Sequence, residues 1–289
     1  MASAELRHIR RRIRSVQSTM KITRAMELIA ASRIVKAQAR VAANQPYARK
    51  MEEVIRNVAA ASGGVPHPLL DPREIRTVGV VVVTSDRGLA GAYNTSIIRM
   101  AETRLIELKR ATSDYRLYVV GKKAQSYFRY RGYQIERAFL GVTDTPGYGD
   151  ARAVANVVMN DYAEEAIDSV EVFTTRFLSA LTQQPARIAL LPITPPEEGS
   201  ASVGYEFEPN AEAILGRLLP RYVEGSMFGI LLDASASEHA ARRRAMKAAT
   251  ENADELTRIL TRQANQARQA EITTEISEIV GGAEALTHG

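Results

Sequence analysis

Apolar residues recur at alternating steps of three and four positions through the N-terminal part of the chain. This spacing is typical of a coiled-coil helix, whereas the surface helix of a globular domain carries a broader apolar stripe. We therefore predict a long N-terminal coiled-coil helix over residues 1–61, which Pro46 either ends or bends. Its apolar seam, interrupted only by Thr23 and Glu27, consists of Leu6, Ile9, Ile13, Val16, Met20, Thr23, Glu27, Ala30, Ile34, Ala37 and Val41.

A second pattern of this kind occupies residues 235–282, within a C-terminal helical region predicted over 209–289. The stretch has no proline and no glycine before Gly281, and at about 1.5 Å per residue it makes a rod of roughly 70 Å. Pro220 marks a kink or restart before the rod, and Gly281-Gly282 predicts its end. We expect the two terminal helices to pair antiparallel within one molecule, because this covers both seams. The C-terminal seam is Ala245, Ala249, Ala253, Leu256, Leu260, Ala264 and Ala267.

The pattern changes between the two helices, over residues 72–208. Residues 77–84, TVGVVVVT, form a run of β-branched side chains that is typical of a strand covered on both faces. Strands and helices then alternate, which predicts a Rossmann-like, mostly parallel, doubly wound α/β domain. A polar loop over 194–202 follows it. Further strands are predicted at 117–120, 170–177 and 187–193, the last two joined by a turn at 182–185, and helices at 95–109, 122–130 and 152–167.

Charge is distributed unevenly along the chain. The net charge is +5, and residues 1–60 carry 13 Lys and Arg against 4 Asp and Glu, or +9, which leaves −4 for the rest. The absence of cysteine excludes disulfides and thiolate metal sites. No apolar run reaches the roughly 20 residues that cross a bilayer. We expect no metal site, because the four histidines lack metal-ligand spacing. They are His8, His67, His239 and His288.

One motif, TSDRGLAGAYN at residues 84–94, lies where doubly wound sheets most often bind ligands. Gly88 and Gly91 would allow a phosphate to approach the following helix N-terminus. The dinucleotide and P-loop fingerprints are both absent, however, so a tight turn is the favoured interpretation. The adjacent pairs Glu164-Glu165 and Glu197-Glu198 are typical of a solvated surface, and no nucleophile elbow occurs. We therefore expect no catalytic residue and no cofactor.

Two arginine clusters remain, one at 7–14 and one at 242–244. They are interpreted as solvated faces, as contacts to acidic loops of a protein partner, or as contacts to nucleic acid phosphates. The long helices lack the aromatic side chains on which bases stack, which weakens the last interpretation. A nucleotide- or nucleic-acid-binding α/β protein with a coiled-coil stalk remains the alternative function.

Four long segments, in this order, resemble the gamma subunit family of the F-type ATP synthase: IRRRIRSVQSTMKITRAMELIAASR, VTSDRGLAGAYN, SEHAARRRAMKAATENA and NQARQAEITTEISEIVGGAEAL. The resemblance covers essentially the whole chain. It implies a non-catalytic central-stalk rotor, present once per complex, that couples rotation of a proton-driven membrane c-ring to ATP synthesis or hydrolysis. The implied partners are the hexamer of alpha and beta subunits, the epsilon subunit and the c-ring. The implied location is the cytoplasmic face of the bacterial cell membrane, as a peripheral protein.

The resemblance also implies site residues. Met26 is placed opposite the acidic lever loop of a beta subunit, and Arg242, Arg268 and Gln269 at another beta-subunit loop. Lys21 and Arg24 are added to this contact by their charge and position. Ala90 stands where many relatives carry a cysteine, and the chain has no paired-cysteine insertion, so thiol control of the chloroplast kind is excluded. An apolar bearing tip is formed by Ile272, Ile276, Ile279, Val280 and Leu286.

Overall fold

The computed structural model describes residues 4–61, 67–111, 113–194 and 210–287. Two compact units divide the chain: residues 30–242 form one, and residues 1–29 with 243–289 form the other. We call them the sheet unit and the helix-pair unit. The elements are α1 (Ala4–Ala61), β1 (Thr77–Val83), α2 (Tyr93–Arg110), β2 (Asp114–Val120), α3 (Lys122–Tyr130), β3 (Arg137–Phe139), α4 (Tyr148–Ala163), β4 (Ser169–Phe177), β5 (Gln183–Leu191) and α5 (Ala211–Thr287).

The sheet unit contains a five-stranded sheet in the order β3-β2-β1-β4-β5. The first four strands are parallel, and β5 pairs antiparallel with β4 at one edge. This confirms the doubly wound prediction. Alternate residues of β1 are buried on opposite faces: Val80 and Val82 pack with α2 and α3, while Val81 and Val83 pack with α4, α1 and α5. Helices therefore cover both faces, which explains the continuous β-branched run.

Two local predictions in this unit are wrong. The short strand β3 is missed, because three residues carry no detectable period. The hairpin turn lies at 178–182, where the amide of Ser179 donates to the carbonyl of Thr182 at 3.0 Å, and not at 182–185. Pro185 lies inside β5, opposite Thr175. An edge strand tolerates this proline because one side of its backbone needs no ladder hydrogen bond. The predicted loop at 194–202 lies, beyond Thr194, outside the described residues.

Both terminal helices continue through the positions where an end, bend or kink is predicted. Pro46 lies inside α1, and Pro220 and Gly281-Gly282 lie inside α5. The prediction that Gly281-Gly282 ends the rod is wrong. Each glycine costs about 1 kcal/mol relative to alanine within a helix, but the good helix formers on either side continue the hydrogen-bond ladder.

Within the sheet unit, α1 and α5 run antiparallel. A Cβ atom on Gly225 would lie 3.3 Å from Cε1 of Tyr47, and one on Gly229 would lie 3.4 Å from Nδ2 of Asn44. The earlier residue of α1 thus lies beside the later residue of α5. At these two positions the side chains of α1 approach the backbone of α5 closely, and glycine allows this because it has no side chain.

Within the helix-pair unit, α1 and α5 pack through the predicted seam of α1. The hydroxyls of Thr23 and Thr250 share a hydrogen bond at 2.8 Å, so one of the two polar interruptions is paired across the contact. All the predicted α1 seam residues, in both units, are buried or half-buried.

The seam of α5 differs from the prediction at Leu256, and it also includes Met246, which is 5% exposed, and Thr250. Leu256 is 37% exposed, whereas Leu260 is 2% exposed and Thr257 is half-buried. The heptad therefore steps from Ala253 by four and then by three. The Thr257 hydroxyl donates to the carbonyl of Ala253 at 2.8 Å, which satisfies its polar group inside the contact.

Candidate partner-contact sites

A groove of about 620 Å³ lies on the helix-pair unit and brings two predicted contact residues together. Lys21 and Arg24 line one side of it with Leu28, and Glu251 and Asp254 of α5 line the other. The Arg24 side chain is 62% exposed and pairs with Glu27 at 3.2 Å, and Leu28 is 60% exposed. Two exposed cations beside an exposed leucine can bind a partner segment that carries both acidic side chains and an apolar one. Met26 is half-buried and does not line this groove.

The other predicted contact residues of the helix-pair unit lie on the surface of α5. Arg268 and Gln269 are both exposed. Beyond them, the predicted bearing residues present an exposed apolar strip: Ile272 is 48% exposed and Ile279 71%, with Ile276 and Val280 between these values. The side chain of Leu286 lies outside the described residues. These residues are therefore available to a partner that covers them.

Arg242 faces its own chain. Arg242 is 7% exposed and belongs to the sheet unit. The guanidinium donates to Oε1 of Glu238 at 2.5 Å and to the carbonyl of Gly88 at 3.2 Å. The following residues, Arg243 and Arg244, are exposed. The donors of Arg242 thus point at the 84–94 motif and at Glu238 of α5. The exposed part of this arginine cluster consists of Arg243 and Arg244.

The 84–94 motif is a tight loop closed by its own polar groups. The Asn94 side chain accepts from the amide of Ser85 at 2.9 Å, and the Asp86 carboxylate accepts from the Thr143 hydroxyl at 2.9 Å. Leu89 and Gly91 adopt left-handed φ values of 62° and 57°. The small residues therefore serve the turn, and the carbonyl of Gly88 points at a cation rather than leaving room for a phosphate.

A second set of polar contacts ties the loop before α4 to both long helices. Arg33 of α1 donates twice to the carboxylate of Asp144. The backbone carbonyl of Asp144 accepts from the Ser235 hydroxyl at 3.0 Å and lies 3.2 Å from Nε2 of His239. Burial lowers the pKa of His239, so its ring is held neutral. Sequence analysis missed Arg33 and Asp144, which lie 111 residues apart.

Glu238 is the most deeply buried carboxylate of this region, and its role was also missed. Its side chain is 2% exposed, and its Oε2 has no hydrogen-bond partner. Burial raises the pKa of Glu238 to about 7, and the Arg242 guanidinium opposes this shift. The i, i+4 spacing of Glu238 and Arg242 is visible in the sequence, but the burial of both residues is not.

We expect the raised pKa of Glu238 to make the unfolding free energy depend on pH. Its folded pKa exceeds its unfolded value of 4.5, so the folded state holds a proton that the unfolded state releases. Stability that is present below pH 4.5 is therefore lost as the pH rises through 7. Relative to Glu238→Gln, the wild type should lose about 3 kcal/mol of unfolding free energy between these limits. Denaturant unfolding of both proteins at a series of pH values measures this loss of unfolding free energy.

The matched control is Glu251→Gln, which alters a glutamate of the same helix whose side chain is 65% exposed. We expect this variant to follow the wild-type pH profile. The pKa of Asp233, which burial raises to about 6, affects all three proteins alike and cancels in the comparison. Parallel profiles of the wild type and Glu238→Gln would contradict the assignment.

Over the described ranges of the chain, no group of three or more metal-ligating side chains comes together. None of the helices in those ranges is both long enough and apolar enough to cross a bilayer. His288 and the Glu197-Glu198 pair lie outside the described residues.

Comparison with known proteins identifies full-length relatives. A family model described as ATP synthase matches residues 5–286. The ATP synthase gamma chain of Acidothermus cellulolyticus is 50% identical over 294 residues, which cover 98% of this chain and 97% of that protein. The ATP synthase gamma chain of Desulfitobacterium hafniense is 48% identical over 286 residues, which cover 99% of this chain and 100% of that protein.

Solved structures show the same fold. A chain of the Euglena gracilis mitochondrial ATP synthase, solved with OSCP, F1 and the c-ring, has a TM-score of 0.71 and 17% identity, covering 98% of this chain and 94% of that one. A chain of the central stalk and c-ring of the Tetrahymena thermophila mitochondrial ATP synthase has a TM-score of 0.61 and 24% identity. That match covers 79% of this chain and 99% of that one.

Proposed function

Because the chain belongs to the ATP synthase gamma chain family, we propose that it is the central-stalk rotor of a proton-translocating F-type ATP synthase. It is a non-catalytic subunit, and it couples rotation of a membrane c-ring to conformational changes in the catalytic alpha and beta subunits. The observation that carries this proposal is the near-complete coverage of gamma chains at 47–50% identity.

The helix-pair unit has features that suit a shaft. Two helices joined along a narrow seam, to which α5 contributes mainly alanine and threonine, make a thin pair, and a pair resists twisting better than a single helix. Its surface differs along its length: charged side chains and Leu28 line the groove, and apolar residues form the strip at 272–280. Such unequal faces favour different conformations in the surrounding subunits, and a rotor transmits free energy only through such differences.

We assign the contacts of this surface as follows. Lys21, Arg24 and Met26 face the acidic lever loop of a beta subunit, since guanidinium and ammonium groups pair with carboxylates. Arg268 and Gln269 bind a second beta-subunit loop, and the strip at 272–280 turns within an apolar sleeve of the hexamer. The remaining partners are the epsilon subunit and the c-ring, with one copy of this chain per complex. The assembly places the chain at the cytoplasmic face of the bacterial cell membrane, as a peripheral protein.

A single-molecule experiment tests the rotor proposal. The chain has no cysteine, so Tyr130→Cys, at a residue that is 88% exposed on α3, introduces a unique thiol for a probe. With the alpha–beta hexamer immobilised, ATP should drive rotation of the probe in one direction. A second probe site at Leu181→Cys, where the residue is 84% exposed, should report the same rotation. ATP hydrolysis by the assembled complex with a stationary probe at both sites would refute the proposal.

A further inference from the structure

Beside the 84–94 loop, apolar packing alone restrains rotation of α5 about its own axis weakly. The α5 residues that face the sheet unit near the 84–94 loop are small: Ala234, Ala236 and Ala240 are at most 3% exposed. Burial of such side chains is favourable but non-directional, and it leaves little to interlock with neighbours. A directional restraint on the helix requires hydrogen bonds or ion pairs.

Arg242 supplies one such restraint, next to the bonds of the Ser235 hydroxyl to the carbonyl of Asp144 and of the Tyr93 hydroxyl to the carbonyl of Ala234. Its Nε and one terminal nitrogen approach the carbonyl of Gly88 at 3.3 and 3.2 Å, which is a two-pronged contact to one backbone atom. The loop that carries Gly88 is itself fixed to the sheet. The amide of Thr84 donates to the carbonyl of Val120 at 2.8 Å, and Asp86 accepts from the amide of Lys122 at 3.1 Å. A continuous set of polar bonds therefore runs from α5 to the strands β1 and β2.

Glu238 holds the guanidinium in this position. It lies one turn before Arg242 on α5 and accepts a hydrogen bond at 2.5 Å. This buried contact contributes little net stability, because desolvation offsets the Coulomb attraction of its charged form, but it restricts geometry. The charged and titratable groups that face Glu238 from other elements do not replace this contact: Asp86 and Asp144 repel it, and Tyr93 donates its hydroxyl to the carbonyl of Ala234.

We propose that Glu238, acting through Arg242, is a positioning residue that locks α5 against the 84–94 loop, and that torque passes between α5 and the sheet unit through this lock. The torque part of this inference rests on the rotor function proposed above. Arg242 is the last residue of α5 within the sheet unit, and the following residues of the helix belong to the helix-pair unit. The lock thus lies at the end of the segment of α5 that the sheet unit holds.

The decisive variant replaces both partners, Glu238→Met with Arg242→Met. Replacing a buried ion pair by apolar side chains of similar volume tends to preserve or raise stability, so this protein should fold with an unchanged or higher Tm. It lacks the directional bonds. In the isolated chain, amide hydrogen exchange over residues 86–92 should be about tenfold faster than in the wild type, because one net hydrogen bond fewer holds the loop.

In the reconstituted enzyme, the same variant should pump about threefold fewer protons per ATP hydrolysed against an imposed proton gradient, since the loss of a hydrogen bond weakens the lock under load. ATP hydrolysis without a gradient should remain within about twofold of the wild type. Arg243→Met, at the exposed neighbouring arginine, is the matched control and should behave as the wild type in both assays.

Unchanged exchange over 86–92 in a folded double variant would overturn the lock itself. Faster exchange with unchanged proton pumping per ATP would overturn its role in torque. A wild-type chain that supports no pumping would count against the proposed rotor function instead, and the exchange measurement would still decide whether the pair fixes the loop.

Discussion

Replacing Leu260 with aspartate is expected to separate the helices of the helix-pair unit. Leu260 is 2% exposed in the contact between α1 and α5. The substitution removes a buried leucine and places a carboxylate in an apolar contact, so it should cost about 4 kcal/mol or more in unfolding free energy. Circular dichroism of the isolated chain should show loss of helix, and the variant should not assemble with alpha and beta subunits.

The matched control is Leu256→Asp. Sequence periodicity places both leucines on one seam, but the structure leaves Leu256 37% exposed. An exposed substitution of this kind should change the unfolding free energy by about 1 kcal/mol at most. Equal destabilisation by the two variants would contradict the register in which Thr257, rather than Leu256, faces α1.

Replacing Arg268 and Gln269 together with alanine is expected to lower ATP turnover of the assembled enzyme by about tenfold, the loss of one or two charge-assisted hydrogen bonds to a partner. Both residues are exposed, so the melting temperature of the isolated chain should not change. Nucleotide affinity at the catalytic sites should also remain, because neither residue takes part in chemistry. Turnover and nucleotide binding are measured on the same reconstituted complexes.

Arg262→Ala provides the control for this pair, because it removes an exposed arginine from the same helix. It should leave turnover within about twofold of the wild type. Unchanged turnover in the double variant would refute the assignment of Arg268 and Gln269 to a partner contact, while the rotation experiment would still test the rotor function.

Local periodicity was sufficient for the α1 seam and for the α/β pattern of the sheet unit. The seam depends on residues within one or two helical turns, and the strands depend on alternation along a single strand. Both are properties of a short stretch of sequence. The family, too, follows from the sequence, because the four motif segments occur in order along the whole chain. The alternative of a nucleotide- or nucleic-acid-binding protein was left open at that level, and family membership decides against it.

Tertiary structure alone decided which residues are buried where two elements cross. Leu256 and Thr257 both fit the spacing of a seam, and only the direction from which α1 approaches selects Thr257. Arg242 reads as a surface arginine in the sequence, yet it is buried because the 84–94 loop lies against α5 there. The pairing of Arg33 with Asp144 has no local signal at all, since chain folding brings together residues from α1 and the loop before α4. Burial and pairing depend on the neighbours that the fold supplies, and for these residues the neighbours are distant in the sequence.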